Sequence, residues 1–567
     1  MKGKRLLAAL LTLSLTASLA LTGCGESKKN DNNAAGGDNK EESKMDDEQY
    51  INTWLTQEPK TLDQSKSSDL YSSIVLTNIN EALTRVETDE NGKEVIKEAG
   101  AESWEKSEDG LKWTFKLRDM KWSDGQPVTA EQYVYGITRT LNPDVGSPYG
   151  FLLFPIKNAQ AYNGGKGKLE DVGVKAIDDK TIEFTLENPC SYFLNLTYFK
   201  VMQPQREDVI EKYGDKYGTE AETMMSCGPF KMKEWVHNNK IELEKNPEYW
   251  DAENVKLEKA TMKIIKETSS AMNELYNGSL DMAGVSKPEW IKKFDDSGNF
   301  EVLKSYDGSS AYMFFNHKDK YFQNAKIRKA FMLATDREGM CETLYKGLAE
   351  PALAWCPPAV SIGDEEYRKK IEFNPVEELK KENPDAKALF IEGLKELGLD
   401  PDPSKHTITF LQAGTDATSK EFADFEQQNF QSVLGVNLKS EFCEWAVFQS
   451  REEQLDYQIA SMGWTGDYND PMTFFDMWMS TAGVVHSGWK NEKYDELIQK
   501  TTKTIDPEER AKLFAEAEKM LVYDEAVFSP TVYRFKNSYV RKYVKNATTK
   551  TFGVGIMDLK YLYTSGR

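Results

Sequence analysis

The order of apolar and polar residues divides the chain into strands and helices. Ile51, Thr53 and Leu55 mark a short strand, and Trp113, Phe115 and Leu117 alternate with Lys112, Thr114, Lys116 and Arg118. A period of two puts alternate side chains on one face, which predicts half-buried strands; Ile182, Phe184 and Leu186 repeat the pattern. Ile408 and Phe410 predict another strand, Phe442-Cys443-Glu444-Trp445 is expected to end one, and strand-like segments recur from Val527 onward. A helical period appears elsewhere. Ile327, Ala330, Phe331 and Ala334 form one apolar stripe, and Asp336 is placed to cap the next helix. An amphipathic helix is predicted near 421–434. Asp506-Pro507-Glu508-Glu509 combines an N-cap, proline at the first helical position and an acidic first turn, ahead of a stripe at Leu513, Ala517 and Met520. Thr129 caps a helix with Gln132 placed to close a capping box. Residues 351–403 are dotted with proline and charge.

The amino terminus reads differently. Lys2, Lys4 and Arg5 precede an apolar run from Leu6 to Leu21 that ends in Leu21-Thr22-Gly23-Cys24. This is the layout of a secretory signal, and the run is short of the roughly 20 residues that span a bilayer. Leu-Thr-Gly-Cys resembles the lipobox of bacterial lipoproteins, which makes Cys24 the lipidated first residue of the mature protein and membrane lipid a partner. Residues 25–48 carry almost nothing apolar, too little to offset the entropy of ordering, and are expected to form a flexible tether.

The remainder exceeds 500 residues, enough for two or three domains. The net charge of −20 becomes about −23 once Lys2, Lys4 and Arg5 leave, which opposes a phosphate backbone and excludes nucleic acid as a partner. After Cys24, five cysteines remain (Cys190, Cys227, Cys341, Cys356, Cys443) without CxxC spacing. Free buried thiols are expected, although Cys341 and Cys356 are a possible pair. No GxSxG, HExxH or P-loop pattern occurs, the four histidines (His237, His317, His406, His486) stand far apart, and Ser-x-x-Lys occurs twice, as chance supplies. No metal, cofactor or catalytic residue is assigned.

One stretch organises the rest: Ser461-Met462-Gly463-Trp464-Thr465-Gly466-Asp467-Tyr468-Asn469-Asp470-Pro471. By residue type alone it is a surface loop after a buried strand, since Gly-Asp and Asn-Asp-Pro are ordinary turn chemistry. It resembles, however, the signature of the peptide-binding lipoproteins that feed bacterial ABC importers, the family 5 extracytoplasmic solute-binding proteins. Glu58-Pro59-Lys60-Thr61-Leu62-Asp63, the Trp122-Ser123-Asp124-Gly125-Gln126-Pro127-Val128-Thr129-Ala130 string, Ser226 to Lys231 and Asn246-Pro247-Glu248-Tyr249-Trp250 extend the resemblance along nearly the whole chain. Cys227 stands where asparagine is usual, and Ser461 where some relatives carry an arginine for the ligand's carboxylate.

The resemblance implies an α/β, two-lobed fold of the type II periplasmic-binding-protein kind in its large three-domain variant, hinged between lobes. The expected division is signal 1–24, tether 25–48, first lobe 49–85, a β-rich extra domain 86–204, first lobe again 205–308, second lobe 309–526 and first lobe 527–567. It further implies that Asp467 takes a peptide's α-ammonium, that the backbone of Gly463, Thr465, Ser68 and Leu70 flanks the peptide, and that Trp464, Trp445, Tyr149 and Tyr312 wall its side-chain pockets. The expected function is a monomeric, lipid-anchored receptor on the extracytoplasmic face of the cell membrane, passing oligopeptides to an ABC permease. Two alternatives are the same scaffold carrying a nickel chelate, sugar or signalling peptide, and a tethered hydrolase.

Overall fold

The computed structural model describes residues 44–67, 69–89, 92–363, 365–414, 417–443, 445–480, 482 and 485–567, without the side chains of 417, 418, 445 and 446. The signal, Cys24, most of the tether and Ser68 lie outside the described residues, as does the side chain of Trp445. The last tether residues do not hang free: Asp46 donates its amide to the Thr564 carbonyl at 3.0 Å, and Ser565 donates to the Lys44 carbonyl at 2.9 Å. Satisfied backbone groups, rather than apolar content, fix this end.

Strand β1 (Tyr50–Leu55) buries Ile51, Thr53 and Leu55 in strict alternation. Helix α1 (Leu70–Ile79) follows, capped by the Asp69 carboxylate on the Ser72 amide. Next come β2 (Ala101–Lys106) and β3 (Lys112–Leu117), which buries Trp113, Phe115 and Leu117. Helix α2 (Ala130–Leu141) begins with the capping box of Thr129 and Gln132. With β4 (Val174–Asp178) and β5 (Thr181–Thr185), these strands close an antiparallel sheet in the order β2-β3-β5-β4. The chain then returns: β6 (Phe230–Val236) and β7 (Lys240–Lys245) form a hairpin, and β8 (Lys259–Ile264) sets it beside β1 in the order β1-β8-β7-β6.

The third sheet spans the rest. It contains β9 (Met282–Val285), β10 (Phe300–Phe315), the short β11 (Ala349–Pro351), β12 (Thr407–Ala413), β13 (Asn437–Cys443), β14 (Ile459–Thr465) and β15 (Phe528–Arg541). Their order is β9-β15-β10-β14-β12-β13, with β11 on β15. Two long strands give this sheet its reach. β10 pairs with β15 from Phe300 to Tyr306, shifts register, then pairs with β14 from Ser309 and again with β15 from Ser310. Gly308 sits at the shift with φ +74°, a conformation that suits a residue without Cβ, so one strand bends there and serves both halves of the molecule.

Separate cores flank the bend. Ile51, Leu243 and Met262 belong to one, Trp113, Phe115 and Phe184 to a second, and Phe315, Phe331 and Phe410 to a third. The mixed α/β, two-lobed architecture expected from the sequence is the one observed. The predicted helices at 325–334 and 337–343 are present, the second with Asp336 accepting from the Gly339 amide. One expectation needs correction. The strand before Trp445 ends at Cys443, because its parallel partner β12 ends at Ala413 opposite it, and Trp445 opens a helix instead. The proline-dotted segment contains three helices, Tyr367–Lys370, Pro375–Glu382 and Ala386–Glu396, the second with its proline at the helix start, where no amide is required. Cys190, Cys227, Cys341 and Cys356 are free thiols, so the possible Cys341–Cys356 pair is not formed.

Candidate ligand cleft

β14 delivers the signature stretch. One edge of it is paired with β10 from Ile459 to Thr465, while β12 covers the other edge only at Ile459 and Ala460. Among the described residues no strand pairs with that second edge from Ser461 onward. A peptide laid along Ser461–Thr465 would therefore meet backbone donors and acceptors that the sheet has not used. A Cβ on Gly463 would meet only the Ser310 carbonyl oxygen, at 4.0 Å, so this part of the strand is open.

Beyond the strand the loop is pinned. Gly466 donates to the Gly308 carbonyl at 2.9 Å, tying the loop to the bend in β10. Any Cβ there would fall 2.9 Å from the Phe474 ring, which accounts for the second glycine by close packing rather than by ligand approach. The Trp464 indole donates to the Thr473 carbonyl at 2.7 Å, and the Thr473 hydroxyl accepts the Asp467 amide at 3.1 Å. The Asp467 carboxylate receives no hydrogen bond and no cation among the described residues, and burial alone pushes it up to about 6. Asp476 behaves alike, pushed up to about 7 by burial and then by Asp467. Asp470, three residues on, is instead locked to Arg510 by two contacts of 2.6 and 2.7 Å.

Asp467 lies where two cavities meet. The first, of about 350 Å³, brings Asp467 and Thr465 into one space with Leu70, Tyr149 and Lys200. Leu70 is 58% exposed although it begins a helix whose other apolar residues are largely buried, so its side chain faces the cleft rather than a core. Tyr149 lines the same cavity, and its hydroxyl is raised by burial and then by the charges of Asp467 and Asp69. The second cavity, of about 840 Å³, is lined by Trp464, Asp467, Tyr468 and Asp476, and Tyr468 stacks on Tyr192 with centroids 4.7 Å apart.

Asp467, Thr465, Trp464, Leu70 and Tyr149 thus converge. Tyr312 does not join them. It is 1% exposed, and with Ser310 and Phe314 it lies on the face of β10 covered by Trp355, Trp478 and Phe528, so its ring is core. It borders a further cavity of about 170 Å³ beside Ser461 and Gly463. Sequence reasoning missed Asp476 and Lys200. Each is an isolated charge with no local pattern, and only the fold makes it buried and unmatched. No group of three or more His, Cys, Asp or Glu among the described residues is placed to hold a metal ion.

Comparison with known proteins agrees with this fold. Residues 95–485 match the family described as bacterial extracellular solute-binding proteins, family 5 Middle. The chain is 33% identical over 539 residues to the oligopeptide-binding protein OppA of Bacillus subtilis, covering 94% of this chain and 95% of that one. It is 31% identical to the dipeptide-binding protein DppE of the same organism, covering 97% of each. The solved structure of Haemophilus influenzae OppA in complex with the peptide RPPGFSPFR superposes with a TM-score of 0.73 at 28% identity, covering 92% of this chain and 100% of that one. These are solute-binding proteins of the type II periplasmic kind, not enzymes. The chain therefore belongs to the bacterial extracellular solute-binding proteins of family 5.

Proposed function

We propose that this protein is a peptide receptor that closes around an oligopeptide and passes it to an ABC permease in the membrane. A single observation carries the reading: Asp467, half-buried and without a counter-charge, shares a cavity with the exposed Leu70 at the end of an unpaired strand edge. A broad-specificity receptor gains most from the features every peptide has, its backbone and its cationic amino end. The strand edge of Gly463 and Thr465 on one side and the segment of Ser68 and Leu70 on the other take the backbone, and Asp467 takes the ammonium. Charge-assisted hydrogen bonds of this kind contribute about 1.5–3 kcal/mol each. Trp464, Tyr149 and Trp445 wall the side-chain pockets, with water adapting to different residues.

The lobes divide as the sequence implies, with 49–85, 205–308 and 527–567 in one, 309–526 in the other and 86–204 as the extra domain. The protein acts as a monomer, held through lipid on Cys24 to the extracytoplasmic face of the membrane. Native mass spectrometry of the purified protein tests the function. A ladder of co-purified peptides is expected; one non-peptide mass points to another solute on the same scaffold, and turnover of added substrate to a hydrolase.

A further inference from the structure

The cavity between Leu70 and Asp467 holds more charge than an ammonium site requires. Most of it is matched internally. Arg85 contacts Glu81 at 2.6 Å and Asp558 at 3.1 Å, and Lys550 contacts Asp558 at 2.6 Å. Asp307 pairs with Arg534 at 3.0 Å, and the Asp69 carboxylate is taken by the amide and hydroxyl of Ser72 at 2.8 and 2.6 Å. Asp467, Lys200 and Lys536 are left.

Both lysines line the same cavity as Asp467, and neither has a carboxylate within 4.0 Å among the described residues. Lys200 is 5% exposed; its ammonium donates to the Ser73 hydroxyl at 2.9 Å and the Asp69 carbonyl at 3.4 Å, with the Tyr149 ring centroid 5.1 Å away. Those partners are neutral; burial pulls Lys200 down to about 8 against the charge of Asp69, whose carboxylate is bonded to Ser72. Lys536 reaches the Thr551 carbonyl at 3.5 Å. Glu94 and Asp307 are the acids that face it, but Glu94 accepts the amides of Thr551 and Phe552, and Asp307 is held by Arg534. Lys200 is buried and Lys536 half-buried, each with only neutral hydrogen-bond partners; withdrawing a cation from water that way is costly, and a carboxylate brought in by a ligand offsets the cost through charge-assisted bonds.

We propose that the preferred ligand is a zwitterion whose carboxylate lies in the same cavity as its ammonium, with Asp467 taking the ammonium and Lys200 and Lys536 taking the carboxylate. The inference rests on the peptide-receptor reading and adds a specificity to it. The carboxylate belongs either to an acidic residue next to the amino end or to the C-terminus of a very short peptide. Lys200 and Lys536 are then specificity residues, and ligands with a neutral amino-terminal region are the weaker binders.

Isothermal titration of the intact protein with Glu-Ala-Ala and Gln-Ala-Ala, each with a free and an amidated C-terminus, tests this. At least one carboxylate is expected to improve Kd by about tenfold or more, and which one does so identifies its source. In a Lys200→Met, Lys536→Met variant the ratio is expected to fall to about one, while Lys200→Arg keeps it. Ratios near one for both carboxylates in the unmodified protein, or a ratio that survives the double substitution, overturn the proposal without touching the receptor reading. Failure of all four peptides to bind overturns both.

Discussion

The Trp464 indole is fastened to the Thr473 carbonyl at 2.7 Å, and the same threonine's hydroxyl fastens the amide of Asp467 at 3.1 Å. One buried residue thereby sets both the aromatic wall and the height of the charged group. Thr473→Val keeps the shape and the carbonyl but leaves the Asp467 amide without its partner. A loss of about 1–3 kcal/mol in unfolding free energy is expected from urea titration. Thr473→Ser, which restores the hydroxyl, is expected to recover most of it.

Replacing Asp467 by asparagine removes the charge and keeps the size. Peptide affinity is expected to drop by about one to two orders of magnitude, matching one charge-assisted bond. Acetylating the peptide's amine should cost the unmodified protein a similar factor and cost Asp467→Asn almost nothing more. Calorimetry of the four combinations reads this directly, and equal affinity for blocked and free peptides would exclude the amine anchor.

The pH dependence has a definite sign. Burial raises Asp467 from 3.8 to about 6, so the cost of its charge to folding appears as pH rises across that window. Binding runs the other way, because a bound ammonium favours the ionised carboxylate. Affinity should be full above about pH 6 and about tenfold lower near pH 5, with a proton released on binding in between. Calorimetry in two buffers of different ionisation enthalpy measures that proton, and Asp467→Asn should abolish its release.

Asp470 and Arg510 form a buried pair with contacts of 2.6 and 2.7 Å, and Asp470 also accepts the Met472 amide at 2.9 Å. Asp470→Asn leaves Arg510 charged, buried and without its carboxylate. The expected cost is about 3–5 kcal/mol of stability, far more than for Asp467→Asn at the same pH. Denaturant melts of the two variants separate the structural aspartate from the ligand aspartate.

Local periodicity was enough to read much of this protein from its sequence. The alternation at Trp113, Phe115 and Leu117, the stripe at Ile327 to Ala334, and the caps at Thr129, Asp336 and Asp506 all rest on contacts within a few residues, and each forms as expected. The stretch from Gly463 to Asp467 was legible as a candidate site because its residue types and its resemblance to known receptors agree. Burial and partnership were not legible, because they depend on residues far apart in the chain. Asp467, Asp470 and Asp476 look alike in sequence, yet only Asp470 meets an arginine, supplied by a helix 40 residues away. Tyr312 looked like a cleft residue until the covering of its strand face by Trp355, Trp478 and Phe528 made it core. Lys200 carries no local mark at all; only packing against the distant Ser73, Asp69 and Tyr149 makes it a buried cation with no carboxylate within 4.0 Å among the described residues. Periodic patterns fix which elements form, since neighbours along the chain dictate them, whereas the environment of each charge is decided only when distant segments pack together.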